Sequence, residues 1–163
     1  MRANLLPWAK LGLLVLLTCL VQQFINQFVE TPTLDERMIA AASMGRDDLL
    51  ESALRDGASP ASQGMSGSTP LIYATQGGFL STISRLLAHG ADINAADNSG
   101  CTPLIWAVYS DRLKTVQLLI DRGADLRARD YTGQTARQRA LEWNHPEIAE
   151  LLRQAEQKQS ATN

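Results

Sequence analysis

Covalent chemistry needs a thiol, hydroxyl or imidazole held beside a base, and this chain of 163 residues offers few such groups. It has two histidines, His89 and His145, and two cysteines, Cys19 and Cys101. Ser66, Ser68 and Ser110 have no base near them along the chain, and no elbow motif surrounds a nucleophile. No His/Cys/Asp grouping has metal-ligand spacing, so neither a metal nor a cofactor is expected. The pair Gly77-Gly78 falls in a helix turn and makes no phosphate-cradling loop. The chain therefore reads as a non-enzyme. Cys101 keeps one alternative open: a redox or peroxide-response accessory protein acting through an exposed thiol, which would need a depressed pKa.

The elements that position these groups come from a repeat. Gly67-Ser-Thr-Pro-Leu-Ile-Tyr-Ala74 returns as Gly100-Cys-Thr-Pro-Leu-Ile-Trp-Ala107, a shift of 33 residues. Downstream, Leu86-Leu87 ahead of Gly90-Ala91-Asp92 matches Leu118-Leu119 ahead of Gly123-Ala124-Asp125. Weaker copies carry Ala41, Gly45, Leu49-Leu50 and Gly57 upstream, and Gly133-Gln-Thr135 with Leu151-Leu152 downstream. A fixed period of this length means a stacked array, because one unit cannot bury its own apolar stripe. Thr69 and Thr102 precede prolines, as helix caps do. Inner helices are predicted to begin near Thr69, Thr102 and Thr135, and outer helices to run over 80–88 and 113–121. Buried positions should include Leu71, Ala74, Ile83, Leu86, Leu87, Leu104, Ala107, Val116, Leu118, Leu119, Ile148 and Leu151.

Thr69-Pro70-Leu71 with Ala74, Gly78, Leu86-Leu87 and Gly90-Ala91-Asp92-Ile93-Asn94 resembles the ankyrin repeat. The resemblance implies an all-α solenoid of about four helix-turn-helix units with short projecting loops; an N-terminal hydrophobic helix, read from the residues of 1–30, precedes it. The units are placed at about 33–63, 64–96, 97–129 and 130–156, with a polar tail at 157–163. It also implies a protein-binding module that uses loop tips and the concave face. The family's histidine after Thr-Pro-Leu is replaced by Ile72, Ile105 and Gln138, and apolar packing of Ile72 and Ile105 should stand in for its hydrogen bonds. Asp111 and Asn144 stand where Gly78 ends the first helix, and both tolerate the left-handed conformation. Arg137 and Arg139 replace apolar residues in unit four, as a polar C-terminal cap would.

In this family the positions that the scaffold leaves free serve recognition. Here they are Met65, Ser66, Ser68, Gln76, Asn98, Ser99, Cys101, Tyr109, Ser110, Tyr131, Thr132, Gln134 and Trp143. Tyr109, Tyr131 and Trp143 should carry most of the energy, because rigid aromatics bury large area at small entropy cost. Tyr73 and Trp106 occupy a normally apolar helix position and should be core or partly buried.

Residues 1–30 form different material. Arg2 and Lys10 are the only charges before Glu30, and Leu11 to Val21 is continuously apolar. A basic start followed by such a run is an export signal. No small-x-small cleavage site follows before Ala40, and Phe24, Ile25, Phe28 and Val29 extend the apolar pattern. That favours an uncleaved anchor in the cytoplasmic membrane through residues 5–29 over a removed signal. Thr18-Cys19 is a poor lipidation box. The Lys/Arg bias puts the repeats outside, in the periplasm, and the layout resembles that of exported bacterial proteins of this family. A net charge of −2 argues against nucleic acid as the main partner.

Overall fold

The computed structural model describes residues 32–162. The chain divides into a segment, Met1–Pro32, and a unit, Thr33–Asn163. The expected hydrophobic helix and signal, 1–30, lie outside the described residues.

The unit Thr33–Asn163 holds four helix-turn-helix pairs. These are α1 (Leu34–Met44) with α2 (Asp47–Arg55), α3 (Pro70–Gly77) with α4 (Leu80–Ala88), α5 (Pro103–Tyr109) with α6 (Leu113–Asp121), and α7 (Ala136–Glu142) with α8 (Pro146–Thr162). Among the described residues there is no strand, only an isolated antiparallel bridge between Arg129 and Thr135. The inner helices α1, α3, α5 and α7 touch in sequence, as do the outer helices α2, α4, α6 and α8.

The caps fall where the threonines put them. Thr69, Thr102 and Thr135 each accept a hydrogen bond from the amide three residues on, and Pro70 and Pro103 follow at the first helical position. Thr33 and Glu36 form a reciprocal capping box that starts α1. The inner helices end on left-handed residues: Gly45 at φ 65°, Gly78 at 74°, Asp111 at 51° and Asn144 at 60°. The residue after each turn reaches back over the one before. A Cβ on Gly45 would lie 2.5 Å from the Phe79 ring, one on Gly78 would lie 3.2 Å from the Arg112 side chain, and His145 Nδ1 sits 3.1 Å from Asp111.

Core residues recur every 33 positions. Ala41, Ala74, Ala107 and Ala140 are fully buried, and their small size lets the inner helices approach closely. Leu50, Ile83, Val116 and Ala149 form a second column, and Ala53, Leu86, Leu119 and Leu152 a third. Ile72 and Ile105 are buried, so apolar packing does replace the family's histidine.

Three expectations about burial change. Leu87, Leu118 and Leu151 are half-buried, packed against the core without joining it. Counted back from Gly90 and Gly123, Leu86 matches Leu119, so pairing Leu86-Leu87 with Leu118-Leu119 was one residue out of register. A shift of one residue turns a side chain about 100° around the helix, off the buried stripe. The polar tail is also helical: α8 runs on to Thr162, with Ala155 still buried and Glu150 bonded to Arg153 and Gln154. No described helix is long and apolar enough to cross a membrane.

Candidate functional site

The last two loops between pairs are each built around a buried aspartate. Asp97 accepts from the amides of Ser99 and Cys101, at 2.8 and 3.0 Å, and from Trp106 Nε1 at 2.8 Å. One period later, Asp130 accepts from the amides of Thr132 and Gln134, at 2.9 and 3.1 Å, and from Arg139 Nε at 2.7 Å. Each carboxylate closes its hairpin and ties the loop to the inner helix that follows it. Burial works to raise the Asp130 pKa, but hydrogen bonds from Thr132, Gln134 and Arg139 outweigh it and hold the group down at about 2.

Successive tips also join to one another. The Asn98 amide donates to the Ser66 carbonyl at 2.9 Å, and the Tyr131 amide donates to the Ser99 carbonyl at 3.1 Å. Behind them, the Asp125 amide donates to the Asn94 side chain at 2.9 Å. The tips therefore form a continuous edge fixed to the inner helices, a preorganised surface rather than a set of free loops.

Aromatics line the helix side of that edge. Tyr109 packs edge-on against Trp106 and Trp143, with centroids 5.3 and 5.1 Å apart. The Arg139 guanidinium lies over the Trp143 ring at 5.2 Å. It is ion-paired with both Asp130 and Glu142, at 2.7 and 2.8 Å, so one guanidinium is shared between two carboxylates.

The sequence-derived candidates divide in two. Met65, Ser66, Asn98, Ser99, Tyr109, Tyr131 and Thr132 are exposed; Tyr109 keeps 60% and Tyr131 79% of its surface. Gln76, Ser110 and Gln134 are half-buried. Ser68 is buried, and its carbonyl accepts from Gly64, so its expected place on the surface is corrected. Trp143 is half-buried against the core because α7 turns it inward beneath Arg139. Cys101 is likewise half-buried rather than exposed, since its amide is drawn in by Asp97. Burial, then the charges of Asp97 and Asp130, push its thiol up to about 11, the reverse of what a reactive cysteine needs.

Reading by residue type missed Asp97 and Asp130, which build the surface. The signal was present: both stand three residues before a Gly-x-Thr. Arg139 was expected to serve a polar outer face, yet only 15% of its side chain is exposed, because Asp130 draws it into the loop. Arg137 does lie at the C-terminal end, with Nε 3.0 Å from Glu156 of α8.

Among the described residues, no group of three or more His, Cys, Asp or Glu is placed to hold a metal ion. A family model described as ankyrin repeats (3 copies) matches residues 38–130. No curated protein matches the chain.

Proposed function

The chain belongs to the ankyrin-repeat family, and on that premise we propose that it is a non-catalytic module that holds a partner protein through its loop tips and inner-helix ends. Ankyrin repeats act as protein–protein interaction modules. The observation that carries the finer reading is the ridge of Trp106, Tyr109 and Trp143, held edge-to-face beside a tip edge that neighbouring units fix in place. Ordered aromatics of this kind lose little entropy on binding and fit the hot spots of interfaces. The contact set is Met65, Ser66, Gln76, Asn98, Ser99, Tyr109, Ser110, Tyr131, Thr132, Gln134 and the exposed part of Trp143.

We further propose that the module works outside the cytoplasmic membrane, with residues 5–29 as an uncleaved anchor. Support comes from Arg2 and Lys10 ahead of an apolar run and from Glu30, Asp35 and Glu36 behind it. Carbonate extraction of membranes and protease access from the outer side test that placement. A chain released by carbonate, or protected from outside protease, would refute it.

A photo-crosslinking amino acid at Tyr109 or Tyr131 tests the binding face in cells that make the chain. Each should yield a protein adduct, while the same group at Lys114 on α6 should yield none. Adducts from Lys114 alone would move the binding face to the outer helices.

A further inference from the structure

Unit two departs from its neighbours at one position. Gly64 stands where Asp97 and Asp130 stand in the next two units. No carboxylate fills the space between the loop and the inner helix, and a groove of about 570 Å³ opens there. Ile39, Met65 and Tyr73 supply its apolar lining, and Asp35 and Glu36 its charge. A Cβ on Gly64 would come within 2.9 Å of the Tyr73 hydroxyl and 3.3 Å of Ile39, so any larger residue would occlude it. The Tyr73 hydroxyl donates to the Met65 carbonyl at 3.4 Å, which leaves the ring as a wall.

The two carboxylates are fixed but not neutralised. Asp35 accepts from the Ser59 amide at 2.9 Å and Glu36 from the Thr33 amide at 2.7 Å. Neither pairs with a cation among the described residues, whereas Asp47, Glu51, Asp130, Glu142, Glu150 and Glu156 all do. A cleft that sets an apolar wall beside two such carboxylates is complementary to a side chain with an aliphatic stem and a cationic head.

We propose that the binding surface is directional: the groove between α1 and the Met65–Gly67 turn takes a lysine or arginine of an extended partner segment whose apolar residues lie over Trp106, Tyr109 and Trp143. The proposal rests on the binding-face reading above. Ala40, Tyr73, Trp106 and Arg139 occupy one position of successive inner helices, so groove and ridge belong to the same row. Helices packed ~8–10 Å apart place α1 and α7 about 24–30 Å from each other. An extended chain at ~3.3 Å per residue spans that in about eight residues. The partner segment is thus short, with one basic end and an uncharged apolar remainder.

Panning a displayed random dodecapeptide library on the purified unit tests this, with D35N/E36Q, Gly64→Ala and Tyr109→Ala variants in parallel. Asn and Gln keep the two acceptor oxygens, so Ser59 and Thr33 keep their bonds and the fold is preserved. Wild type should enrich peptides with Lys or Arg near one end and aliphatic, aromatic or proline residues beyond it. A selected peptide should bind D35N/E36Q about tenfold more weakly. Selection on that variant, or on Gly64→Ala, should lose the basic preference and keep the apolar one. Peptides that depend on Tyr109 but show no basic preference would overturn the groove and leave the binding face standing. Peptides that tolerate Tyr109→Ala, or no enrichment at all, would overturn both.

Discussion

Trp106 and Arg139 stand 33 residues apart at one position of successive inner helices, and both donate to the aspartate of the hairpin just before them. The indole N–H reaches Asp97 at 2.8 Å and the guanidinium reaches Asp130 at 2.7 Å. Where the preceding hairpin carries an aspartate, this position supplies the donor that meets it, so two unlike side chains do the same job. The two sites differ in what removal would leave behind. A neutral indole can lose its acceptor at modest cost, whereas a mostly buried guanidinium cannot.

Asp130→Ala should therefore cost about 3 kcal/mol, towards the low end for a broken buried pair because Glu142 remains, and Asp97→Ala about 1–2 kcal/mol. The Asp130 carboxyl is held at about 2, below the ordinary aspartate value of 3.8. A depressed folded-state pKa gives stability that is present above the unfolded value and lost as pH falls through the folded one. Urea unfolding of wild type should show this group's stabilisation full and constant between pH 5 and 8, and lost as pH falls from about 4 to 2. Asp130→Asn should flatten that decline. An unchanged acid slope would show that the carboxyl is not held down as described.

Leu86→Ala and Leu119→Ala should each cost ~2–5 kcal/mol, because both side chains are fully buried between layers. Leu87→Ala and Leu118→Ala, half-buried, should each cost less than half as much. Chemical denaturation of the four variants checks the order. Equal losses within each pair would mean that both leucines of each doublet are buried, as expected from the sequence alone.

That slip shows what the sequence could and could not convey. Thr-Pro pairs and glycines at a fixed interval mark helix ends by local chemistry, and inner-helix starts and outer-helix spans were legible from them. Asp111 and Asn144 were legible as turn residues for the same reason. A leucine doublet is ambiguous, since its two members differ by about 100° and only the distance to the next glycine tells which faces inward. The surface was harder still. Asp97 and Asp130 look like solvated turn residues until their hydrogen bonds are seen, and Cys101 and Trp143 look exposed until Asp97 and Arg139 are placed beside them. The aspartates recur at the repeat period, but their donors nine residues on, Trp106 and Arg139, differ in type and so do not stand out as a repeat.

Cys101 should behave as an inert thiol. With its pKa pushed up to about 11, alkylation should be slow at pH 7–8 and accelerate only above about pH 10. Cys101→Ser should leave partner binding unchanged. Stopped-flow alkylation across pH measures the first, and rapid reaction at neutral pH would revive a redox role.

Gly100→Ala should disturb the tip edge without reaching the core. Its φ is +74°, and a Cβ would lie 2.8 Å from the Tyr131 ring and 3.0 Å from the Tyr131 amide nitrogen. The expected loss is ~1–2 kcal/mol, with faster hydrogen exchange at Tyr131. Unaltered exchange there would mean that the Tyr131-to-Ser99 bond is dispensable to the edge.

The central claim, that a partner docks on the aromatic ridge, is tested most directly by the affinity of the crosslinked partner for Tyr109→Ala, measured by calorimetry beside Lys114→Ala. Tyr109 is 60% exposed and makes its ring contacts at the surface, so folding should be nearly untouched. Binding to Tyr109→Ala should weaken by ~1–3 kcal/mol, with Lys114→Ala indistinguishable from wild type. Full affinity in a folded Tyr109→Ala protein, with affinity lost in Lys114→Ala, would contradict the account.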